Sequence, residues 1–390
     1  MGALFVVRVM DSTAPRLQTK SIGIIGAGIS GLSCAKTLEQ AGYHVEVFDK
    51  GRNLSGRMAT RRNDLSEFDH GAQYFTVKNP DFKQEVDRWV GADVAKIWSP
   101  KIAVLDNLKE NEISAKKNQF NSWVNIGIEK LKSFKKSIFT ANNNGTSVER
   151  FVGTPKMTTP ATFISRGLSV KKGTTIDSVY IRPQSYPRWS LKSKEIGVIE
   201  GNFNIIIAAI PAPQAAELFK EISPKLTEIS QSVKMSGTWA VMLNFEEKVN
   251  LNFDAAFING GPLRWIARNN SKPERGMTEA WVLHATSEWS ESHLDISREE
   301  ATELLVKEFI ALGGSVPNQS QAHLWRYADS TQPLDTTFAW DEENNLGICS
   351  DWLNNGRVEG AWLSGKRLAE FIIQSLKDND PLKNYWGHGN

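Results

Sequence analysis

Apolar and polar residues alternate along this chain with two different periods, and the switches between the periods mark its elements. SIGII, from Ser21, is an apolar run too short for a helix. After a glycine-rich turn it gives way to ISGLSCAKTLEQ, whose apolar positions recur at helical spacing, and then to HVEVFD, which alternates with period two. Strand, helix and strand in that order predict a βαβ unit. Further on, NPDFKQEVDRWV reads as a helix entered through Asn79 and Pro80, with Phe82, Val86 and either Trp89 or Val90 on one face. KIAVLD, FNSWVNIGI and VERFVG read as strands separated by polar turns such as NNNG. Thr174 to Tyr180 and Asn204 to Ile210 predict strands that rejoin the first unit, the second stopped by the prolines of PAP. TWAVMLNF, EAWVLHAT and AHLWRYA are aromatic, β-branched strands, and REEATELLVKEFIALGG is an amphipathic helix ended by glycine. Leu346 to Ser375 closes the chain with another strand-to-helix passage.

These elements predict an α/β chain, α+β overall, in which a Rossmann-type domain is interleaved with a substrate domain of mixed β-sheet and helices. The expected division gives residues 20–76, 155–213 and 336–378 to the Rossmann-type domain, and 77–154 and 214–335 to the substrate domain. Residues 1–19 read as a disordered extension. A chain of 390 residues has room for two to three domains with a sizeable core.

The turn between the first strand and helix is GAGISG. In that spacing Gly26 allows the tight turn, Gly28 lets the backbone approach a pyrophosphate, and Gly31 lets the helix pack closely on the strand. A diphosphate at the helix N-terminus meets unpaired N–H groups and the positive end of the helix dipole. Asp49, ending the second strand, is placed for the adenosine ribose. The glycines alone are weak evidence; the strand, helix and carboxylate around them make the dinucleotide reading strong.

Two other segments favour FAD over NAD. KGRNLSGRMATRR carries Arg52, Gly56, Arg57, Arg61 and Arg62, and the planar arginine fork suits a diphosphate, although a basic loop is also an ordinary solvated surface. NNLGICSDWLNNGRVEGAWLSGKRLAEFI presents a short strand, an Asp, a glycine turn and a helix rich in small residues. Asp351 is placed to orient a ribityl and phosphate region, and the backbone from Gly356 to Ala361 to face a flavin ring with N–H dipoles. A capped helix with an ordinary turn would carry the same residue types.

Net charge is +2, which gives no global drive toward nucleic acid or an anionic membrane, although Lys116 to Lys136 is locally basic. Two cysteines, Cys34 and Cys349, make neither a disulfide framework nor a metal cluster and read as core fillers. The N-terminal apolar patch is broken by Arg8 and Asp11, and no segment is long enough to span a bilayer, so a soluble, cytoplasmic protein is expected.

Three segments, IIGAGISGLSCAKTL, SGRMATRRNDLSEFDHGAQYFT and LGICSDWLNNGRVEGAWLSG, resemble the renalase-type flavoproteins of the FAD-dependent amine oxidase class. VGTPKM, IIIAAIPAPQA, WVLHATSEWS and HLWRYA fit the same pattern, so the resemblance runs from about Ile22 to Leu376. The chain departs from it at Ser55, where many relatives have glycine, and in the Asn-rich region from Lys109 to Asn144. The resemblance implies FAD held by Gly26, Gly28, Ile29, Ser30, Gly31, Asp49, Lys50, Gly56, Arg57, Met58, Gln73 and Tyr74, and noncovalent binding is expected because neither cysteine occupies a convincing attachment loop. From the C-terminal segment it adds Asp351, Gly356, Val358, Glu359, Gly360 and Ala361. It places Tyr74 beside the ring.

Tyr74 and His284 are the candidate catalytic residues, with His70 next, although a single histidine is usually structural. Trp265, Trp281, Trp289, Trp325, Tyr327 and Trp340 read either as core or as walls of an aromatic slot. No second GxGxxG, metal motif or triad-like pattern is present, so a flavin would carry the chemistry. The resemblance implies an oxidase of isomeric dihydro forms of NAD(P)H, with hydride passing to flavin N5 and then to O2. A flavin oxidase of small amines and a noncatalytic FAD-binding protein are the alternatives.

Overall fold

The computed structural model describes residues 20–106, 148–182 and 187–378. The expected strand FNSWVNIGI, the basic run Lys116 to Lys136 and the N-terminal extension lie outside the described residues.

In chain order the strands are β1 (Ser21–Ile25), β2 (His44–Asp49), β3 (Thr60–Arg62), β4 (Glu67–Asp69), β5 (Ala95–Ile97), β6 (Ile102–Asp106), β7 (Phe151–Gly153), β8 (Ser169–Lys172), β9 (Ile176–Ile181) and β10 (Trp189–Ser193). They continue with β11 (Gly197–Val198), β12 (Ile205–Ala208), β13 (Met235–Phe245), β14 (Ala255–Asn259), β15 (Leu263–Arg268), β16 (Glu279–Ala285), β17 (Gln319–Ser330), β18 (Ala339–Asp341) and β19 (Leu346–Ile348). Four helices matter most for the site: α1 (Ile29–Gln40), α2 (Pro80–Gly91), α3 (Arg298–Ala311) and α4 (Arg357–Asp378).

A first sheet runs in the order β18-β19-β12-β1-β2-β8, parallel except where β18 pairs with β19. Its central strands are apolar without alternation, and β12 and β19 are buried throughout, as strands covered on both faces must be. Helix α1 packs against α4 so closely that a Cβ added at Gly365 would stand 2.0 Å from the carbonyl oxygen of Ser30. That contact sets the C-terminal strand-to-helix turn beside the N-terminal one.

A second sheet, ordered β17-β13-β16-β15-β14-β6, is antiparallel except for β14 with β6. Helix α3, with Ala301, Leu305 and Phe309 buried, covers one face, and Gly313 follows it in a left-handed conformation as the sequence predicts. Helix α2 starts at Asn79, whose side chain accepts from Asp81 N, and buries Phe82, Val86 and Trp89, while Val90 stays exposed.

One expected strand is placed differently. β9, covering most of Thr174 to Tyr180, joins an antiparallel β11-β10-β9 sheet, and β8 takes the edge of the parallel sheet instead. Only one residue of β9 is buried, so it cannot serve as an interior parallel strand. The aromatic set also divides. Trp281 packs in the core against Phe253 and Phe309, Trp289 stacks on His293, and Trp340 lies against Phe371.

Candidate active site

The glycine turn behaves as its spacing predicts. Gly26 has φ +110°, and a Cβ there would meet Ala209 O at 2.3 Å; one on Gly31 would meet Gly26 O at 2.0 Å. A Cβ on Gly28, by contrast, meets nothing within 4 Å, and one on Gly56 meets only Gly28 Cα, at 3.5 Å. The first two glycines are therefore required by packing, whereas the second pair faces open space. Helix α1 has no acidic residue in its first turn and no side-chain cap, so its leading N–H groups are available to an anion. Ser30 Oγ is buried beside them with no partner among the described residues. Asp49 accepts from Ala27 N at 2.5 Å and Gly51 N at 2.6 Å, which locks the turn and leaves each carboxylate oxygen a further lone pair.

A cavity of about 1190 Å³ begins here. Ile29, Ser30, Asp49 and Lys50 line its first part, with Gly26 and Gly28; Gly56, Arg57, Met58, Gln73 and Tyr74 continue it. Asp351, Val358, Glu359 and Ala361 also line it, and Thr238, Phe257, Trp265, His284, Trp325 and Tyr327, all on the second sheet, line its far end. Among the expected contact residues Gly31, Gly356 and Gly360 do not line it. Gly31 and Gly360 sit at close backbone approaches, and Gly356 lies in a turn where Asn355, Gly356 and Arg357 all have positive φ. The groove, the open Gly28–Gly56 pair and the uncapped helix fit an extended dinucleotide.

The electrostatics were only partly foreseen. Arg57 does not hold its fork free for a diphosphate: Nη2 pairs with Asp351 at 2.5 Å and Nη1 donates to Ala328 O at 3.2 Å. Arg61 approaches His323 at 3.2 Å instead, and neither Arg52, Arg61 nor Arg62 lines the cavity. Glu359 accepts from Lys78 N and Asn79 N, each at 2.7 Å, and so anchors the entry to α2. His284 Nε2 lies 3.1 Å from His70 O, which also accepts from Trp325 Nε1 at 3.0 Å. Burial, helped by Arg264, pushes the His284 pKa down to about 3. Burial, with His323 and Arg61, pushes His70 down to about 4. Both rings are neutral at physiological pH, so the titration range that made them acid–base candidates is absent.

Behind Gln73 lies a cluster that no sequence pattern announced. Asp69, fully buried, meets Lys272 Nζ at 3.2 Å and Arg275 Nη2 at 2.7 Å; Lys272 also donates to Gln73 Oε1 at 3.2 Å. Burial alone would raise the Asp69 pKa, but the two cations outweigh it and hold it at about 2. Burial, together with the second cation, lowers Lys272 to about 8. Sites of this kind are assembled from residues about 200 positions apart, and their types carry no local periodicity.

Ser55 has φ 101° and a buried hydroxyl without a partner among the described residues, at the point where its N–H donates to Ala27 O at 3.0 Å. Glycine fits that backbone without strain. Ser55→Gly is expected to raise stability by about 1 kcal/mol, the relief of strain and of the unpaired hydroxyl outweighing the added unfolded-state entropy. Chemical denaturation of the two proteins checks this.

Among the described residues no helix is long and apolar enough to cross a membrane, and no group of three His, Cys, Asp or Glu side chains could hold a metal. Residues 24–89 match the family model of the NAD(P)-binding Rossmann-like domain. A 4,4'-diapophytoene desaturase (4,4'-diaponeurosporene-forming) from Staphylococcus aureus (strain Newman) is 37% identical over 65 residues, 17% of this chain and 12% of the desaturase. The chain thus matches only about an eighth of the length of that curated relative. The crystal structure of a candidate protoporphyrinogen oxidase from Exiguobacterium sp. 255-15 superposes with TM-score 0.66 at 12% identity, covering 91% of this chain and 99% of the other. A putrescine oxidase triple mutant redesigned in cofactor binding superposes with TM-score 0.62 at 13% identity, covering 92% and 99%. Residues 24–89 therefore carry the Rossmann-like fold that this family model describes, in a chain that shares its overall fold with these two structures.

Proposed function

We propose that this chain is an FAD-dependent oxidoreductase of the renalase type, within the amine oxidase superfamily, that oxidises isomeric dihydro forms of NAD(P)H to NAD(P)+. FAD, when bound, supplies the hydride acceptor at N5 and passes the electrons to O2, giving hydrogen peroxide. Residues 20–76, 155–213 and 336–378 are assigned to its domain, because every strand of the parallel sheet falls in them; 77–154 and 214–335 hold every described strand of the second sheet. Gly28, Ser30 and the first turn of α1 would hold the diphosphate, Asp49 the ribose, and Asp351 with the start of α4 the ring side. Both cysteines are fully buried and off the cavity wall, which supports noncovalent binding.

The observation that carries the substrate reading is the far end of the cavity. Tyr74 and Trp265 lie 5.9 Å apart, Phe257 meets Trp265 edge-on at 4.7 Å, and the histidines there are neutral. The carboxylate at that end, Asp329, is already paired with Arg264 at 2.8 Å. A dihydropyridine that loses hydride becomes a cationic aromatic ring. Aromatic faces favour that charge, and neutral histidines do not oppose it. No base is needed, because no proton leaves with the hydride. An amine, in contrast, reaches the site as an ammonium ion and must be deprotonated, and a histidine with a pKa of about 3 is a poor proton acceptor.

The likeness to putrescine oxidase keeps the amine reading as a second one. Anaerobic mixing separates them. Flavin absorbance is expected to bleach with NADH preparations rich in the dihydro isomers and to return in air, with amines inert. Bleaching by an amine alone would replace this reading with the second, and a yellow protein reduced by neither would be a noncatalytic binder.

A further inference from the structure

The second sheet lays one row of side chains along the far wall of the cavity. Phe257 on β14 stands opposite Trp265 on β15, Trp265 opposite His284 on β16, and His284 opposite Ala240 on β13. Thr238, two residues from Ala240, shares that face. Phe257, Trp265, His284 and Thr238 all line the cavity, on strands about 4.8 Å apart.

Two members of the row carry a buried polar atom with no partner among the described residues: Trp265 Nε1 and Thr238 Oγ1, in residues only 5% and 2% exposed. Buried groups left this way are costly, and at a cavity wall they mark where a ligand makes the bond. His284, between them, has its hydrogen-bonding character set by its neighbour. A carbonyl oxygen only accepts, so the ring nitrogen facing His70 O, Nε2, carries the proton. The ring is neutral, and Nδ1 is left as an acceptor. The wall therefore carries an obligate donor, Trp265 Nε1–H, and an obligate acceptor, His284 Nδ1, on residues paired across adjacent strands.

We propose that this row recognises a primary carboxamide on the substrate ring: Trp265 Nε1–H donates to the amide oxygen, one amide N–H donates to His284 Nδ1, and the other to Thr238 Oγ1. The inference rests on the dihydronicotinamide reading above. A carboxamide offers an acceptor and a donor side by side in the ring's plane. A carboxylate would press a lone pair against His284 Nδ1, and an amine would leave the indole N–H unmatched. Residues with these roles determine specificity rather than carry the hydride.

The test compares the second-order rate of anaerobic flavin reduction by dihydro isomers of NAD with that by the same isomers of nicotinic acid adenine dinucleotide, using holoprotein. The amide is expected to react about a hundredfold faster, since a site built around hydrogen bonds rejects a mismatched analogue strongly. Trp265→Phe, which keeps an aromatic ring and removes only the N–H donor, is expected to slow reduction by the amide isomers about tenfold at unchanged FAD content, the effect of one buried hydrogen bond. Equal rates for amide and acid, or an unchanged amide rate in Trp265→Phe, would overturn the inference while leaving the proposed function standing. Reduction by neither set of isomers would overturn both.

Discussion

Gly28→Val is expected to fold and to lose FAD, with affinity weakened at least about a hundredfold, or ~3 kcal/mol. The backbone at Gly28 is extended, with φ −74° and ψ 177°, a conformation valine adopts freely. The added side chain would not strike the protein, since a Cβ there meets nothing within 4 Å, but would project into the groove where the diphosphate has to approach the N–H groups of α1. The loss should therefore appear in binding and not in folding. The measurement is the flavin-to-protein absorbance ratio after desalting, alongside circular dichroism. Full retention of FAD would remove the diphosphate from this loop. Gly31→Val is the contrasting control: its Cβ would lie 2.0 Å from Gly26 O, so the expected loss there is of the fold itself.

Asp69→Asn carries the second large effect, a destabilisation of about 3–5 kcal/mol at neutral pH, because it leaves Lys272 and Arg275 buried without their counter-charge. The same change loosens the cavity wall, since the Asp69 carboxylate holds Lys272, which donates to Gln73 Oε1. Acid sensitivity follows from the direction of the shift. The folded pKa of Asp69, about 2, lies below its unfolded value of 3.8, so its contribution is complete above roughly pH 4 and is lost as pH falls through about 2. That contribution is about 2 kcal/mol, and the gap between wild type and variant should narrow by this amount across that window. Denaturant titrations at several pH values check it. A constant gap would mean that the carboxylate is not ionised against the two cations.

Much of the glycine turn with its flanking strand and helix was legible in the chain because its requirements are local. The spacing of Gly26, Gly28 and Gly31 and the position of Asp49 depend on the geometry of one turn, one helix and one strand, all within a short stretch of sequence. The N-cap of α2 and the glycine after α3 follow from the same local rules. The arginines were harder. Their abundance near Gly56 suggested a diphosphate, but charge composition does not reveal which guanidinium a distant carboxylate will claim. Arg57 was claimed by Asp351, 294 positions away, while Arg61 turned to His323. Nor could aromatic alternation separate Trp265, on the cavity, from Trp281, in the core, because both faces of their sheet are covered.

By itself, then, the sequence determined the βαβ crossing, its open glycine groove and the strand character of the second sheet, because backbone conformation and periodicity are decided by near neighbours. Only the tertiary structure decided the Asp69 cluster, the neutral histidines, and the row that pairs Trp265, whose indole N–H has no partner among the described residues, with His284 across adjacent strands. Those properties arise from burial and from strand register, and both are set by parts of the chain that meet only when it folds.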